Sequence, residues 1–397
     1  VRAAVRPLTR ALVATAAAAA AIALVASCSD EAEPEYVWDL PPGFPKPPVP
    51  PDNKMSEAKV ALGQRLFFEK RLSGNETASC ASCHDPRKAF SDGRAVAVGS
   101  TGEPTLRNAM AIVNVAYLPT LTWANPMLRT LEAQALVPLF GEAPVELGAA
   151  SMPDAILARL EQDASYPAAF RKAFPGEPKP INFPNIAKAI ASFERTLISG
   201  RSAYDRFVYD KDRRAMSASA IRGMELFFSE KCECYHCHAG PNFSTAFVTA
   251  EQPTADFSFL NTGLYNIGGR GEYPPGNRGL AELTGEAKDV GRFRVPTLRN
   301  VEWTAPYMHD GSIATLEEVI DHYAAGGRTI ESGPYAGVGR EHPNKDPLVL
   351  GFTLTAEEKA DLVAFLKSLS DPEFVERFAA LAPEEPGAPA SVQSSPP

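Results

Sequence analysis

Two short stretches hold the residues best suited to chemistry, Cys80-Ala81-Ser82-Cys83-His84 and Cys234-Tyr235-His236-Cys237-His238. In each, a C-x-x-C pair of thiols is followed at once by an imidazole. Thiols so placed can add to the two vinyl groups of one porphyrin, and the adjacent His can bind its iron from one face. A structural zinc site would need four ligands and no obligatory trailing His. A thioredoxin-like pair would belong to a βαβ unit, of which the sequence gives no sign. The pattern therefore predicts two covalently bound c-type haems, with His84 and His238 on the irons. These motifs use four of the six Cys and two of the six His. Cys232, two residues before the second motif, is left as a free thiol with no assigned role.

The elements that carry these motifs are duplicated. Leu62-Gly63-Gln64-Arg65-Leu66-Phe67-Phe68 answers Arg222-Gly223-Met224-Glu225-Leu226-Phe227-Phe228, each ahead of a C-x-x-C-H. Downstream, Pro104-Thr105-Leu106-Arg107-Asn108 recurs as Pro296-Thr297-Leu298-Arg299-Asn300, and Thr130-Leu131-Glu132 recurs as Thr315-Leu316-Glu317. Three blocks in one order predict two related haem domains. The second holds a longer loop, rich in Gly and Pro around Gly268-Gly269 and Pro274-Pro275-Gly276. Between the motifs helical signals dominate. Ser56 can cap a helix reaching about Phe68, and Thr355-Ala356-Glu357-Glu358 is a capping box. Ile186 to Ile198 is amphipathic, and no alternating strand series appears. The expected fold class is all-α, with two cytochrome c-like domains in tandem at 54–205 and 206–372 and irregular Gly/Pro-rich loops.

The chain has 397 residues, 45% of them apolar, and a net charge of −9. This composition excludes wholesale disorder, a disulfide scaffold and nucleic acid as the main partner. Residues 1–27 carry Arg2, Arg6 and Arg10 and then an apolar run, the pattern of an export signal too short for a comfortable membrane span. Val25-Ala26-Ser27-Cys28 looks like a lipobox. It predicts cleavage before Cys28, lipid on that thiol, and a protein of the periplasm or cell envelope anchored by the lipid, with the outer membrane favoured. Losing residues 1–27 would take the net charge from −9 to −12. Residues 28–53 read as a Pro-rich extended tether, and 373–397 as a disordered tail.

The repeat predicts that the two irons differ. Aligning the Thr-Leu-Glu blocks sets Tyr323 opposite Pro138. Tyrosinate can ligate ferric iron whereas Pro has no donor, so the second haem can be closed while the first stays open to a small ligand. His322 and His309 compete for the second iron, and imidazole is the commoner ligand; Met308 is a weaker candidate. Adjacent helical residues point about 100° apart, so His322 and Tyr323 cannot both face the iron. His236 and His342 read as solvated.

The sequence resembles the bacterial di-haem cytochrome c peroxidase and MauG family over nearly the whole globular part. The resemblance rests on both C-x-x-C-H motifs, Pro104–Asn108, Gln134, Pro144-Val145-Glu146-Leu147-Gly148, Pro296–Asn300 and Thr304-Ala305-Pro306-Tyr307-Met308-His309-Asp310-Gly311. It implies Tyr323 rather than His322 on the second iron, as in the MauG and MbnH branch, where the peroxidases have Met. It also implies that Glu146 and Gln134 line a peroxide pocket and that Trp123 couples the haems. Asn108 and the carbonyls of Thr304 and Pro306 would bind one calcium ion. Residues 85–108 contain no His, so the removable distal His of peroxidases that need reductive activation is missing. The implied function is reaction of hydrogen peroxide at the open first haem, giving a high-valent di-haem state that oxidises a partner protein side chain, notably Trp. The alternative is a peroxidase fed by a small cytochrome or copper protein, and a plain electron carrier is third.

Overall fold

The ordered part begins earlier in the chain than its proline content suggests. The computed structural model describes residues 35–255 and 257–382; the export signal, Cys28 and the tail beyond 382 lie outside them. Glu35 and Tyr36 belong to one unit and have no regular structure, while the described residues from Val37 onward belong to another. Residues 37–53 are extended, as expected of a Pro-rich stretch, but they are packed rather than free. Phe44 is buried, with the Arg299 guanidinium 5.4 Å from its ring. The Tyr117 hydroxyl donates to the Pro45 carbonyl at 2.8 Å. Asn53, wholly buried, donates to Glu132 Oε1 at 2.6 Å and to the Lys188 carbonyl at 3.0 Å. The body thus starts near residue 37 rather than at 54. Polyproline backbone leaves its carbonyls unpaired, so neighbouring donors can bind them.

The first half holds α1 (Glu57–Phe67), α2 (Leu131–Phe140), α3 (Pro153–Gln162), α4 (Ser165–Ala173) and α5 (Phe183–Glu194). The second holds α6 (Ala203–Val208), α7 (Ala218–Phe227), α8 (Ala281–Thr284), α9 (Leu316–Ala324) and α10 (Ala356–Lys367). The fold is mostly helical, with long irregular connections. Ser56 caps α1 and Thr130 caps α2, while Thr315 and Thr355 form capping boxes with Glu318 and Glu358. Two small antiparallel ribbons also form, β1 (Phe259–Leu260) with β2 (Phe293–Arg294) and β3 (Thr329–Ile330) with β4 (Gly337–Val338). Two-residue strands are too short to leave an alternating pattern. No helix among the described residues is long and apolar enough to cross a membrane.

A last helix, α11 (Pro372–Ala379), occupies the start of the stretch expected to be a disordered tail. Asp371 caps it, and Phe374 and Phe378, one turn apart, pack on Phe90 of the first half at 5.9 and 5.6 Å. The chain therefore returns to its beginning.

The duplication is visible in three dimensions, in a register that corrects one block. Gly63 of α1 meets α5 and Gly223 of α7 meets α10. A Cβ on Gly63 would lie 1.8 Å from the Ala189 carbonyl oxygen, and one on Gly223 would lie 1.9 Å from that of Asp361. Each glycine thus permits a helix crossing that no larger residue allows. The match of Pro104–Asn108 to Pro296–Asn300 does not survive. Asn300 (φ +59°) corresponds to Asn114 (φ +58°); both are left-handed and each opens a short 3₁₀ turn. Asn114 receives the Ser199 amide and donates its own to the Leu197 carbonyl, while Asn300 receives the Asp371 amide and donates to that of Leu369. Met110–Asn114 is therefore the partner of Pro296–Asn300, and Pro104–Asn108 precedes it by six residues. The Thr130 and Thr315 blocks do correspond, as caps of α2 and α9.

Gly63→Ala and Gly223→Ala should each lose about 1–3 kcal/mol or more by forcing the helix pairs apart. Urea unfolding of each variant checks this; a loss under about 0.5 kcal/mol would mean that the crossings can relax.

Candidate functional site

Around the second motif the chain leaves a cavity of about 340 Å³ with mainly apolar walls. Cys234, Cys237 and His238 line it together with Tyr323 from α9. The His238 ring lies 3.0 Å, Nδ1 to O, from the Phe243 carbonyl, which selects the tautomer protonated at Nδ1 and leaves Nε2 as the free donor atom. Burial and the nearby Cys237 and Cys234 thiols push the Tyr323 phenol up. His322 does not line the cavity. It is buried near the Thr262 backbone, neither ring nitrogen is in hydrogen-bond geometry, and burial pushes it down to about 4. Met308 and His309 do reach the cavity wall. His236 is exposed. His342, expected in solvent, is instead buried: its Nε2 lies 3.1 Å from the Gly271 carbonyl, and Asn344 N donates to its Nδ1 at 3.0 Å. It closes a loop of the long insertion, a structural task that its sequence neighbours did not announce.

The first motif repeats the arrangement. His84 Nδ1 lies 3.1 Å from the Phe90 carbonyl. The Met110 and Pro296 carbonyls also bear on His84 and His238 respectively, and burial lowers both imidazoles. Glu146 is held by its backbone: Ser100 N donates to its carbonyl at 2.7 Å, and the next residue, Leu147, donates to the Pro138 carbonyl of α2 at 2.9 Å. This ties Glu146 to the helix that carries Gln134 and Pro138 one turn apart. Burial pushes the Glu146 carboxyl up, and its field reaches the Cys80 and Cys83 thiols.

Between the motifs, Trp123 Nε1 donates to the Asn108 carbonyl at 2.9 Å, and the Trp123 carbonyl accepts from Arg294 N at 2.7 Å. Trp123, Asn108, Thr304 and Pro306 all border the cavity of the second motif. Among the described residues, the only group of three His, Cys or carboxylate side chains close enough to share an ion is Glu230, Glu233 and His236, at an edge that is largely exposed.

The donor set fits a haem better than zinc. Among the described residues the Cys and His donors of neither motif are grouped closely enough to share one ion, as a zinc site requires. Two buried residues point the same way: Arg294, which sequence reasoning missed, and His309, which it set among the candidates for the second iron. Arg294 is buried and has carbonyl and thioether neighbours but, among the described residues, no carboxylate; burial pushes it down to about 10. His309 is buried with Nε2 unpaired. A group bearing carboxylates of its own would satisfy both, since a buried cation needs an anionic partner. Only the apolar flanks of Arg294 could have hinted at its burial.

A profile of the family described as di-haem cytochrome c peroxidase matches residues 57–213. The chain is 36% identical over 373 residues to cytochrome-c peroxidase IdrP1 of Denitromonas iodatirespirans, covering 88% of this chain and 92% of that one. It is 35% identical over 324 residues to the methylamine utilization protein MauG of Methylorubrum extorquens, covering 81% of each. Among solved structures, a MauG-like protein associated with microbial copper homeostasis is similar at TM-score 0.82 and 51% identity, over 86% of this chain and 97% of that one. The diheme peroxidase BthA of Burkholderia thailandensis shares the fold at TM-score 0.63 and 22% identity, over 86% and 94%.

Glu194, at the end of α5, is buried with Oε2 unpaired, and burial pushes it up to about 8. A carboxyl raised on folding keeps its proton in the folded state while the unfolded chain loses it, so stability falls as pH rises from the ordinary carboxylate range through about 8. Glu194→Gln should flatten this slope and unfold several degrees above wild type at pH 8. Equal pH slopes for the two proteins in calorimetry would show that Glu194 is ionised in the folded state.

Proposed function

Because the chain belongs to the di-haem cytochrome c peroxidase family, we propose that it is a MauG-like member that uses hydrogen peroxide to oxidise a side chain of a partner protein, with Trp the expected target. Homologues in this family are peroxidases, and the family implies two c-type haems. One observation carries the finer reading: Tyr323 borders the cavity of the second motif while His322 does not. The relative at 51% identity is titled MauG-like and associated with copper homeostasis, which supports the branch and suggests a partner from a copper-handling system.

Under this reading residues 54–205 and 206–372 are two haem domains joined by the strap 37–53 and by α11. When bound, the haems supply the electron-transfer chemistry that links peroxide to the partner. His84 and His238 present Nε2, their other nitrogens being held by Phe90 and Phe243. The raised carboxyl of Glu146 can take a proton from one peroxide oxygen and give it to the other, promoting cleavage between them, with Gln134 orienting the molecule. Pro138 offers no donor on the face where α9 offers Tyr323. The Tyr323 phenol, raised by burial, would ionise only against a cation. Trp123 couples the two sites, and Asn108, Thr304 and Pro306 hold a calcium ion through oxygen atoms. Cys28 carries the lipid that anchors the protein in the periplasm or at the outer membrane. A second reading, reduction of peroxide with electrons from a small cytochrome or copper protein, is favoured by the relatives named cytochrome-c peroxidase.

The two part on reaction of the fully oxidised protein with one equivalent of peroxide. Direct reaction is expected; a requirement for prior reduction would establish the second reading instead. Glu146→Gln should slow the peroxide step by about 10²–10⁴ in stopped-flow absorbance. Tyr323→Phe should convert a six-coordinate haem to five-coordinate in the resting absorption and electron paramagnetic resonance spectra.

A further inference from the structure

The long insertion of the second half is not a passive loop. With His309 and Tyr335 from later in the chain, it forms a file of aromatic rings between Trp123 and solvent. The Trp123 ring lies edge-on to His309 at 6.5 Å, and His309 in turn faces Tyr273 at 6.1 Å while stacking on Phe293 at 3.7 Å. Tyr273 meets Tyr265 at 5.4 Å, and Tyr265 meets Tyr335 at 5.9 Å. Tyr273 is buried, whereas Tyr335 is 41% exposed in the turn between β3 and β4. We propose that these rings form a relay carrying oxidising equivalents from Trp123 to Tyr335, which is the surface point where an aromatic side chain of a partner protein is oxidised. The proposal deepens the reading above and rests on it, since Trp123 must first be oxidised.

The polar neighbours of each ring favour outward movement. The Tyr273 hydroxyl donates to Asn261 Oδ1 at 2.9 Å, an amide oxygen that cannot keep a proton, so oxidation is not trapped there. The Tyr265 hydroxyl donates to Asp310 Oδ2 at 2.6 Å, a carboxylate that can. The Arg328 guanidinium lies 4.5 Å from the Tyr265 ring centre and opposes positive charge on it. Tyr265 can therefore lose an electron only together with its proton, and Asp310 is placed to take it.

Each passage balances. Tyr265 gives one electron towards Tyr273 and its phenol proton to Asp310. The proton returns when an electron arrives from Tyr335, whose own proton leaves to water. An indole or phenol of the partner restores Tyr335 with one electron and one proton. Two passages match the two electrons that convert one hydrogen peroxide and two protons to two waters.

The test treats the haem-loaded protein with hydrogen peroxide and a nitroso spin trap, without a partner, and maps adducts by mass spectrometry. The expected adduct is on Tyr335. Tyr265→Phe and, independently, Asp310→Asn should each lower it at least tenfold, with unchanged resting haem spectra showing that the fold is kept. An adduct on Tyr235, the tyrosine inside the second motif, in place of Tyr335 would overturn the relay. So would a Tyr335 adduct undiminished in both variants. In either case peroxide consumption by wild type shows that the enzymatic reading stands. Wild type that consumes no peroxide would overturn both.

Discussion

A buried knot of four polar side chains sets the geometry on which the rest depends. Asn114, Ser199 and Asn300 are wholly inaccessible and Asp371 nearly so. Asn114 pairs with the Ser199 backbone in both directions, and Asn300 reaches Ser199 Oγ at 3.1 Å. Asp371 Oδ2 accepts from Ser199 Oγ and from the amides of Gly200 and Arg201. Deep in a protein such groups cost far more unpaired than they contribute paired, so the network admits essentially one arrangement. That arrangement fixes each left-handed Asn. Four residues earlier lie Met110 and Pro296, whose carbonyls bear on the two motif imidazoles. The knot joins the halves and orients their His residues together.

Much of this was legible because the chemistry needs particular atoms at particular spacings. C-x-x-C-H is informative wherever it occurs, and capping residues announce helix starts by local hydrogen bonding. The glycines of the repeat were legible as matched letters, although their reason, a carbonyl under 2 Å from any added Cβ, needs the partner helix. The register of the middle block was misleading because Pro-Thr-Leu-Arg-Asn is a local string. What the fold repeats is an Asn with φ near +60° bonded to residues some 70 to 85 positions away. The strap at 37–53 and helix α11 were misread for a related reason. Low local periodicity describes a segment's own preferences, and burial of Phe44, Phe374 and Phe378 depends on surfaces supplied elsewhere in the chain.

Duplication explains which features agree and which diverge. Residues that face the shared scaffold are held alike in both halves: the glycine crossings, the left-handed Asn and the Phe carbonyls against His84 and His238. Residues that face the space between scaffold and ligand are free to differ. At corresponding positions after the Thr130 and Thr315 caps, one helix offers Pro138 and the other Tyr323. A proline inside α2 removes one intrahelical donor, a cost expected to be on the order of 3 kcal/mol in an uninterrupted helix. It falls late enough in the helix, with Gly141 beyond, that the chain can turn and bring the Pro138 carbonyl to Leu147. The same residue that denies this half a side-chain donor thus helps place the segment carrying Glu146.

The larger divergence is the insertion between the second motif and Pro296. It supplies Tyr265, Tyr273 and Phe293, the wall against which His309 and Trp123 pack. Arg294, on its last strand, and His309 are buried beside the cavity, and among the described residues neither is hydrogen-bonded to a carboxylate. An environment that buries a cation and an imidazole without pairing them is unstable by itself, because desolvation opposes charge on both. A ligand bearing negative charge at that end of the cavity would answer both groups. The electrostatic demand points to the same occupant as the thiol spacing, from residues that share no motif with it.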